Sequence, residues 1–348
     1  STSLYSIYPN SNIGEYKNAN IYFGTGGSSG NGTVYTKLPN AVFACGLGNY
    51  GQLGRNNTSS DSSTSTSPIL ITSNLLNNNI VSISSGYNHS LFLDSTGKVY
   101  GCGRNNVGQL GISGGDKLIP ILITSNIVSI STSYDHSLFL NSNGKVYSCG
   151  INNTGQLGRT IIGTTDSNII QITSNIQDCN IVAIRTGDRY SLFLDSTGKV
   201  YGCGYNHFGQ LGITGGGNIL IPTLITSNIV AISGGYDHSL FLDSTGKVYS
   251  CGYNRNGRLG RTGNNSIPIQ ITSNIQNCNI VAISGGSQHS LFISASVQSQ
   301  TITGTNTIIP SSGMGGTGGA IGLPGSKGAS GLVLLKYNTG MKYYDYQN

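Results

Sequence analysis

Charge is scarce in this chain. Asp, Glu, Lys and Arg make up 9% of its 348 residues, against about a quarter in typical soluble domains. Glutamate occurs once, at Glu15, and tryptophan not at all. Gly, Ser, Thr, Asn, Ile and Val take the place of the helix formers Ala, Glu, Lys and Leu, which excludes a mainly helical fold. Apolar residues come in short runs, none approaching the roughly 20 residues of a membrane-spanning helix. The net charge of +6 is dispersed without a block of like charges, which argues against a nucleic-acid-binding tail. Neither a nucleophile–base pair nor a pair of carboxylates stands out among eleven Asp and one Glu, so no catalytic residue and no cofactor is expected.

What is present is repetition. Ser90-Leu-Phe-Leu-Asp-Ser-Thr-Gly-Lys-Val-Tyr-Gly-Cys-Gly103 recurs unchanged from Ser191 and in close variants from Ser137 and Ser239. Each copy leads into a loop of the form N-x-x-G-[QR]-L-G, at Asn105–Gly111, Asn152–Gly158, Asn206–Gly212 and Asn254–Gly260. An early loop half (42–54) lacks the preceding strands, and a late strand half (280–293) lacks the loop. The Cys-Gly pairs at 45, 102, 149, 203 and 251 set a period near fifty residues, about the length of one propeller blade. Within a unit, Ile229-Val-Ala-Ile-Ser reads as a strand. Ser239-Leu-Phe-Leu and Lys247-Val-Tyr-Ser-Cys pair as a hairpin across Asp243-Ser-Thr-Gly246. The run from Pro222 suits an outer strand, where a missing N–H is tolerated. One unit cannot cover its own sheet faces, so neighbours must stack around an axis.

The pattern Gly86-Tyr-Asn-His89-Ser90 … Val99-Tyr-Gly-Cys-Gly103-Arg-Asn105-Asn-Val-Gly108-Gln-Leu-Gly111 resembles the repeat of the regulator-of-chromosome-condensation family. The resemblance runs from about residue 41 to 293 and implies an all-β β-propeller. Five blades are recognisable, one of them a composite of the two halves at the chain ends. The number rises to seven if the termini form blades, seven being common in the family. The implied domains are an N-terminal Tyr-rich arm (1–40), the propeller (41–293) and a Gly-rich C-terminal arm (294–348).

His89, His136, His238 and His289 occupy one repeat position, with Tyr190 in the fifth copy. A ring of imidazoles could hold a metal, but Tyr190 spoils the symmetry and zinc wants about four close ligands. The structural reading has each His satisfying buried backbone groups between blades. The equivalent thiols at 45, 102, 149, 203 and 251 fall on different blades, too far apart for disulfides, and read as small buried residues made in a reducing cytoplasm. Arg255, Arg258 and Arg261 stand three apart in one loop as a contact patch for an acidic partner, against the default of a solvated loop. His207 and Phe208 interrupt another loop as a second contact point.

Nine of the 20 tyrosines lie outside the repeats. Tyr5, Tyr8, Tyr16, Tyr22, Tyr343, Tyr344 and Tyr346 among them are candidate anchors, since tyrosine combines contact area with a polar tip. Glycine at every third place from 313 to 331 resembles a short collagen-like segment and the Gly-rich ends of viral surface proteins. That segment offers self-association or a flexible arm. The expectation is a non-enzymatic structural or protein-interaction propeller, anchored by its arms in a larger assembly. Its Asn/Ile/Ser/Tyr-rich usage fits an AT-rich genome and the particle of a large DNA virus, with capsid or surface proteins as partners and neither nucleic acid nor a membrane span involved. The alternatives are guanine-nucleotide exchange on a small GTPase, as the family resemblance implies, with an intracellular setting, and a multivalent lectin-like binder. Tyr50, Val107, Thr154, Phe208 and Asn256 share one loop position, and this irregularity argues against a repeated sugar pocket.

Overall fold

The computed structural model describes residues 40–55, 65–295, 333–337 and 340–344. The repeats fold as four complete four-stranded antiparallel sheets. Blade 1 comprises β3 (Ile80–Ser85), β4 (His89–Asp94), β5 (Val99–Gly103) and β6 (Lys117–Thr124); blade 2, β7 (Ile127–Thr132), β8 (His136–Asn141), β9 (Val146–Ile151) and β10 (Thr165–Gln171). Blade 3 holds β11 (Ile181–Thr186), β12 (Tyr190–Asp195), β13 (Val200–Gly204) and β14 (Ile219–Thr226); blade 4, β15 (Ile229–Gly234), β16 (His238–Asp243), β17 (Val248–Gly252) and β18 (Asn265–Gln270). Within each, strands follow chain order. First strands of successive blades are neighbours while fourth strands barely meet, so the first strand is innermost. Among the described residues the only helical element is a 3-10 turn at Arg255–Gly257, and no helix is long and apolar enough to cross a membrane.

Local chemistry sets each element. The β4–β5 hairpin closes on Gly97 at φ +85°, while Asp94 Oδ1 accepts from Thr96 N (2.8 Å), Thr96 Oγ1 (2.7 Å) and Lys98 N (3.0 Å). Glycine is favoured there because a side chain at positive φ is strained. Pro120, Pro222 and Pro268 all sit in fourth strands β6, β14 and β18, the outer edge the sequence pattern demands.

The core lies between blades. Leu91 and Leu93 of blade 1 pack against Ile127, Ile130 and Phe139 of blade 2. The same leucine-on-isoleucine seam joins blades 2 and 3 through Leu138, Leu140, Ile181, Ile184 and Phe193. It joins blades 3 and 4 through Leu192, Leu194, Ile229, Ile232 and Phe241. Each blade is therefore stable only against its neighbours.

The chain ends depart from expectation. β1 (Phe43–Gly46) pairs with β2 (Ser65–Leu70), and β19 (Ile280–Gly285) pairs with β20 (Ser290–Ser294), as two separate two-stranded sheets. The fifth, composite blade expected from these halves is not formed among the described residues, because the free edges of β1 and β20 are not brought together. A further hairpin joins β21 (Val333–Tyr337) and β22 (Gly340–Tyr344), which carries the backbone of Tyr343 and Tyr344. Tyr5, Tyr8, Tyr16, Tyr22, Tyr346 and the glycine triplets lie outside the described residues.

Candidate functional site

Each blade's first turn and its N-x-x-G-[QR]-L-G loop emerge from the same edge of the sheet, since Gly103 at the end of β5 pairs with His89 at the start of β4. The loop is wound around one asparagine. Asn105 Oδ1 accepts from Leu110 N (3.0 Å), and its Nδ2 donates to Ile112 O (2.9 Å) and Gly114 O (2.8 Å). Asn152, Asn206 and Asn254 receive Leu157, Leu211 and Leu259 in the same way. Local side-chain bonds of this kind hold an irregular backbone without strand partners. Gln109 and Thr154 then reach the first turn of the following blade at Asp135 and Arg189.

Beneath the loops runs a polar seam. Ser137 Oγ donates to the Gln109 carbonyl (2.6 Å) while lying 2.9 Å from His89 Nε2. A hydroxyl has one proton; with it directed at a carbonyl, His89 Nε2 must carry the proton it shares with Ser137. The imidazole is the neutral Nε2–H tautomer, and its Nδ1 is buried without a partner. His136 with Ser191 (3.1 Å) and His238 with Ser290 (2.9 Å) repeat the arrangement. The histidines thus bridge blades through serine hydroxyls, not backbone groups as the sequence led us to expect. Only Tyr190 follows that expectation, reaching the carbonyls of His238 and Gly235. Burial holds His89 at about 4, His136 at about 3 and His238 at about 4, with electrostatic coupling to His89 adding to the effect at His136 and to Arg258 and His289 at His238.

The thiols divide. Cys102, Cys149, Cys203 and Cys251 are buried, each pointing at the Gln carbonyl that also receives the serine, and burial pushes each thiol far above its ordinary range. Cys45, expected to match them, is exposed, and Cys179 and Cys278 are half-buried. No disulfide joins any pair among the described residues.

The loop face itself is aromatic. Tyr87 and Tyr134 are exposed and stack with ring centroids 4.4 Å apart. Exposed Phe208 stacks on Tyr253 at 4.6 Å and meets Tyr205 edge-on at 6.0 Å, with His207 4.7 Å from the Tyr205 ring. Arg104 lies over Tyr50 at 5.0 Å, and Tyr236, in sequence register with Tyr87 and Tyr134, is also exposed. The expected arginine trio does not form a patch. Arg258 is buried over Tyr253, bonded to Arg255 O (3.0 Å) and Ser287 O (3.1 Å), while Arg261 turns inward to Ser250. Arg255 is the exposed member.

Half-buried Asp188 sits in this face beside Arg189 at 3.4 Å. Burial, together with the charges of Asp237 and Asp135, pushes its carboxyl up to about 6 despite Arg189. Asp135 and Asp237 are raised by burial, against the pull of Arg189 and of Arg104 or Arg258 respectively. The three tyrosines escape a search for aromatics at the loop position. The signal that finds them is a tyrosine two residues before His89, His136 and His238.

These blades, innermost first strands and inter-blade seams define a β-propeller repeat protein. The model of the RCC1-like domain matches residues 25–318, reaching into both segments read as arms. The chain belongs to this family. Human WBSCR16 is similar over 73% of this chain and 71% of its own, at 22% identity and a TM-score of 0.65. Prp20p of Saccharomyces cerevisiae, described by its binding to Gsp1p and histones, is similar over 68% of this chain at 22% identity and a TM-score of 0.62. The match spans 60% of the Prp20p chain.

Proposed function

We propose that the protein is a non-enzymatic interaction scaffold that binds other proteins through its loop face. The carrying observation is the set of exposed aromatics on the loop face, Tyr87 stacked on Tyr134, Phe208 stacked on Tyr253, and Tyr236, beside the Asn-wound loops. Rigid aromatic surface gives contact area at small cost in side-chain entropy, which is why such residues dominate protein interfaces. The groups that could serve chemistry are engaged elsewhere: imidazoles in seams, Asp94, Asp195 and Asp243 in hairpin turns. We further propose that the terminal segments anchor it in a larger assembly at the surface of a large DNA virus particle, with capsid or surface proteins as neighbours. The AT-rich residue usage and the glycine triplets support that setting.

The test is full-length protein with Tyr87, Tyr134, Tyr236 and Phe208 changed to serine. It should keep its β-sheet spectrum and lose at least about tenfold in affinity for its assembly, since exposed aromatic anchors carry most of such binding. Undiminished incorporation overturns the reading. Nucleotide exchange on a small GTPase is the second reading, by likeness to Prp20p. Acceleration of nucleotide release from such a GTPase would raise it to first place.

A further inference from the structure

Among the complete blades, blade 2 alone has no proline in its outermost strand. Pro120, Pro222 and Pro268 hold one position in β6, β14 and β18, and Pro68 holds it in β2; in β10 the residue there is Ile169. Packing does not account for the exchange. The Ile169 side chain lies against Gly111, the last glycine of the preceding blade's loop, as Pro222 lies against Gly158 and Pro268 against Gly212. What changes is the backbone. Proline lacks an N–H, so a blade has no use for one at this position, whereas Ile169 supplies it.

That N–H faces away from the blade. Ile172 N donates to Val146 O of β9 (2.8 Å). Backbone groups alternate in direction along a strand, so those of Ile170 also turn toward β9, while the N–H and C=O of Ile169 and Gln171 point to the outer side. β10 is the last strand of its sheet, and among the described residues no strand pairs with that side. A register shift between Asp166 and Ile170 does not set β10 apart, since β6, β14 and β18 have shifts of their own and a proline besides. The charges that commonly guard an open edge are missing too. β10 holds no Lys or Arg, and its one carboxylate, Asp166, is paired with Arg159. The loop leading into it is longer than that of blade 4 and adds Ile161 and Ile162, which are 70% and 47% exposed. Ile170, within the strand, is 39% exposed.

We infer that the occupant of this edge is β10 of a second copy of the chain, paired antiparallel about Ile170. That register is self-complementary. It sets Ile169 of each copy opposite Gln171 of the other, so that every outward N–H of these residues meets an outward carbonyl. It sets the two Ile170 residues opposite one another in the closer, non-hydrogen-bonded kind of pair, where apolar side chains cover each other. With Asp166 already neutralised by Arg159, two such edges meet without like-charge repulsion. The contact is isologous: it uses each edge once and stops at a dimer, in which the two copies of blade 2 form one continuous sheet. It uses the rim and not the aromatics of the loop face, so failure of either proposal does not entail failure of the other.

The experiment compares the full chain with Ile169→Pro, which installs the residue that β2, β6, β14 and β18 carry at this place. Light scattering on the unsubstituted chain should rise with concentration from 36.3 kDa toward twice that mass and no further. Ile169→Pro should keep the circular dichroism spectrum and weaken association at least about tenfold, because each copy loses one of its inter-copy donors. Ile170→Lys, which sets like charges opposite one another, should weaken it as well. Should the proline variant fail to fold, Ile170→Cys decides, in a Cys45→Ser background that removes the exposed native thiol. On oxidation it should give a single dimer band on a non-reducing gel, linked through position 170, since a close antiparallel pair lies within disulfide reach. The Cys45→Ser chain alone should give none. A constant monomer mass, association indifferent to Ile169→Pro, or no link through position 170 overturns the inference.

Discussion

Acidifying the protein from about pH 7.5 to about pH 5 should unfold it by charging histidines in the chain's unfolded form that the native seams keep neutral. His89, His136 and His238 are held near 4, 3 and 4 against an ordinary 6.5. A lowered native value means that the unfolded chain binds more protons below 6.5, so stability falls as pH falls through the window from 6.5 toward 4. At pH 5 each contributes a loss of about 2 kcal/mol, roughly 6 kcal/mol for the three. That is comparable to the whole stability of an ordinary domain, about 5–15 kcal/mol.

Asp188 acts in the opposite sense. Its raised native value means that stability is gained as pH falls through about 6. Its side chain is only 9% exposed, and by pH 5 the gain is about 1.4 kcal/mol. The histidines prevail. Urea midpoints followed by circular dichroism at steps of pH should fall steadily between neutrality and pH 5. His136→Gln, which keeps an N–H donor for Ser191 without a titrating nitrogen, should remove about 1.4 kcal/mol per pH unit from the slope. Midpoints that hold or rise on acidification, or a His136→Gln slope equal to the parent's, would refute the tautomer and burial argument together.

Three further outcomes follow from the seams and loops. A thiol reagent under native conditions should label Cys45 rapidly and Cys179 and Cys278 more slowly, sparing the four buried thiols until unfolding; fast labelling of all seven contradicts the seam geometry. Asn105→Ala removes three hydrogen bonds and strands the buried Leu110 N–H, which should cost about 3 kcal/mol in urea unfolding. A loss under about 0.5 kcal/mol would show that the loop is not wound on Asn105. Gly103→Ala, at φ +106° with a Cβ directed into the Asn88 carbonyl, should destabilise by about 3 kcal/mol or more. Ala at Gly115, with normal φ and open space around it, should cost less than about 0.5 kcal/mol in the same assay.

The repeat itself determined the fold class. Strand periodicity, Asp-x-x-Gly turns, a proline restricted to an outer strand and Asn-Gly loops are short-range chemistry, and each is seen where the pattern put it. Sequence alone also marked His207 and Phe208, because they break a repeated loop. It could not separate Arg258 from Arg255, since three-residue spacing does not tell which guanidinium folds back over Tyr253 and onto Ser287. Nor could it pick out the stack of Tyr87 on Tyr134, whose rings come from different blades.

Two matters belonged to tertiary structure alone. One is the histidine partner, a serine some fifty residues away on the next blade, reachable only once the seam has formed. The other is whether the ends meet. Local sequence specifies each blade, but the turn from blade to blade is the net result of packing at every seam, and small differences accumulate along the arc. Among the described residues β1–β2 and β19–β20 stand as separate two-stranded sheets, although the sequence reads the two halves as one blade.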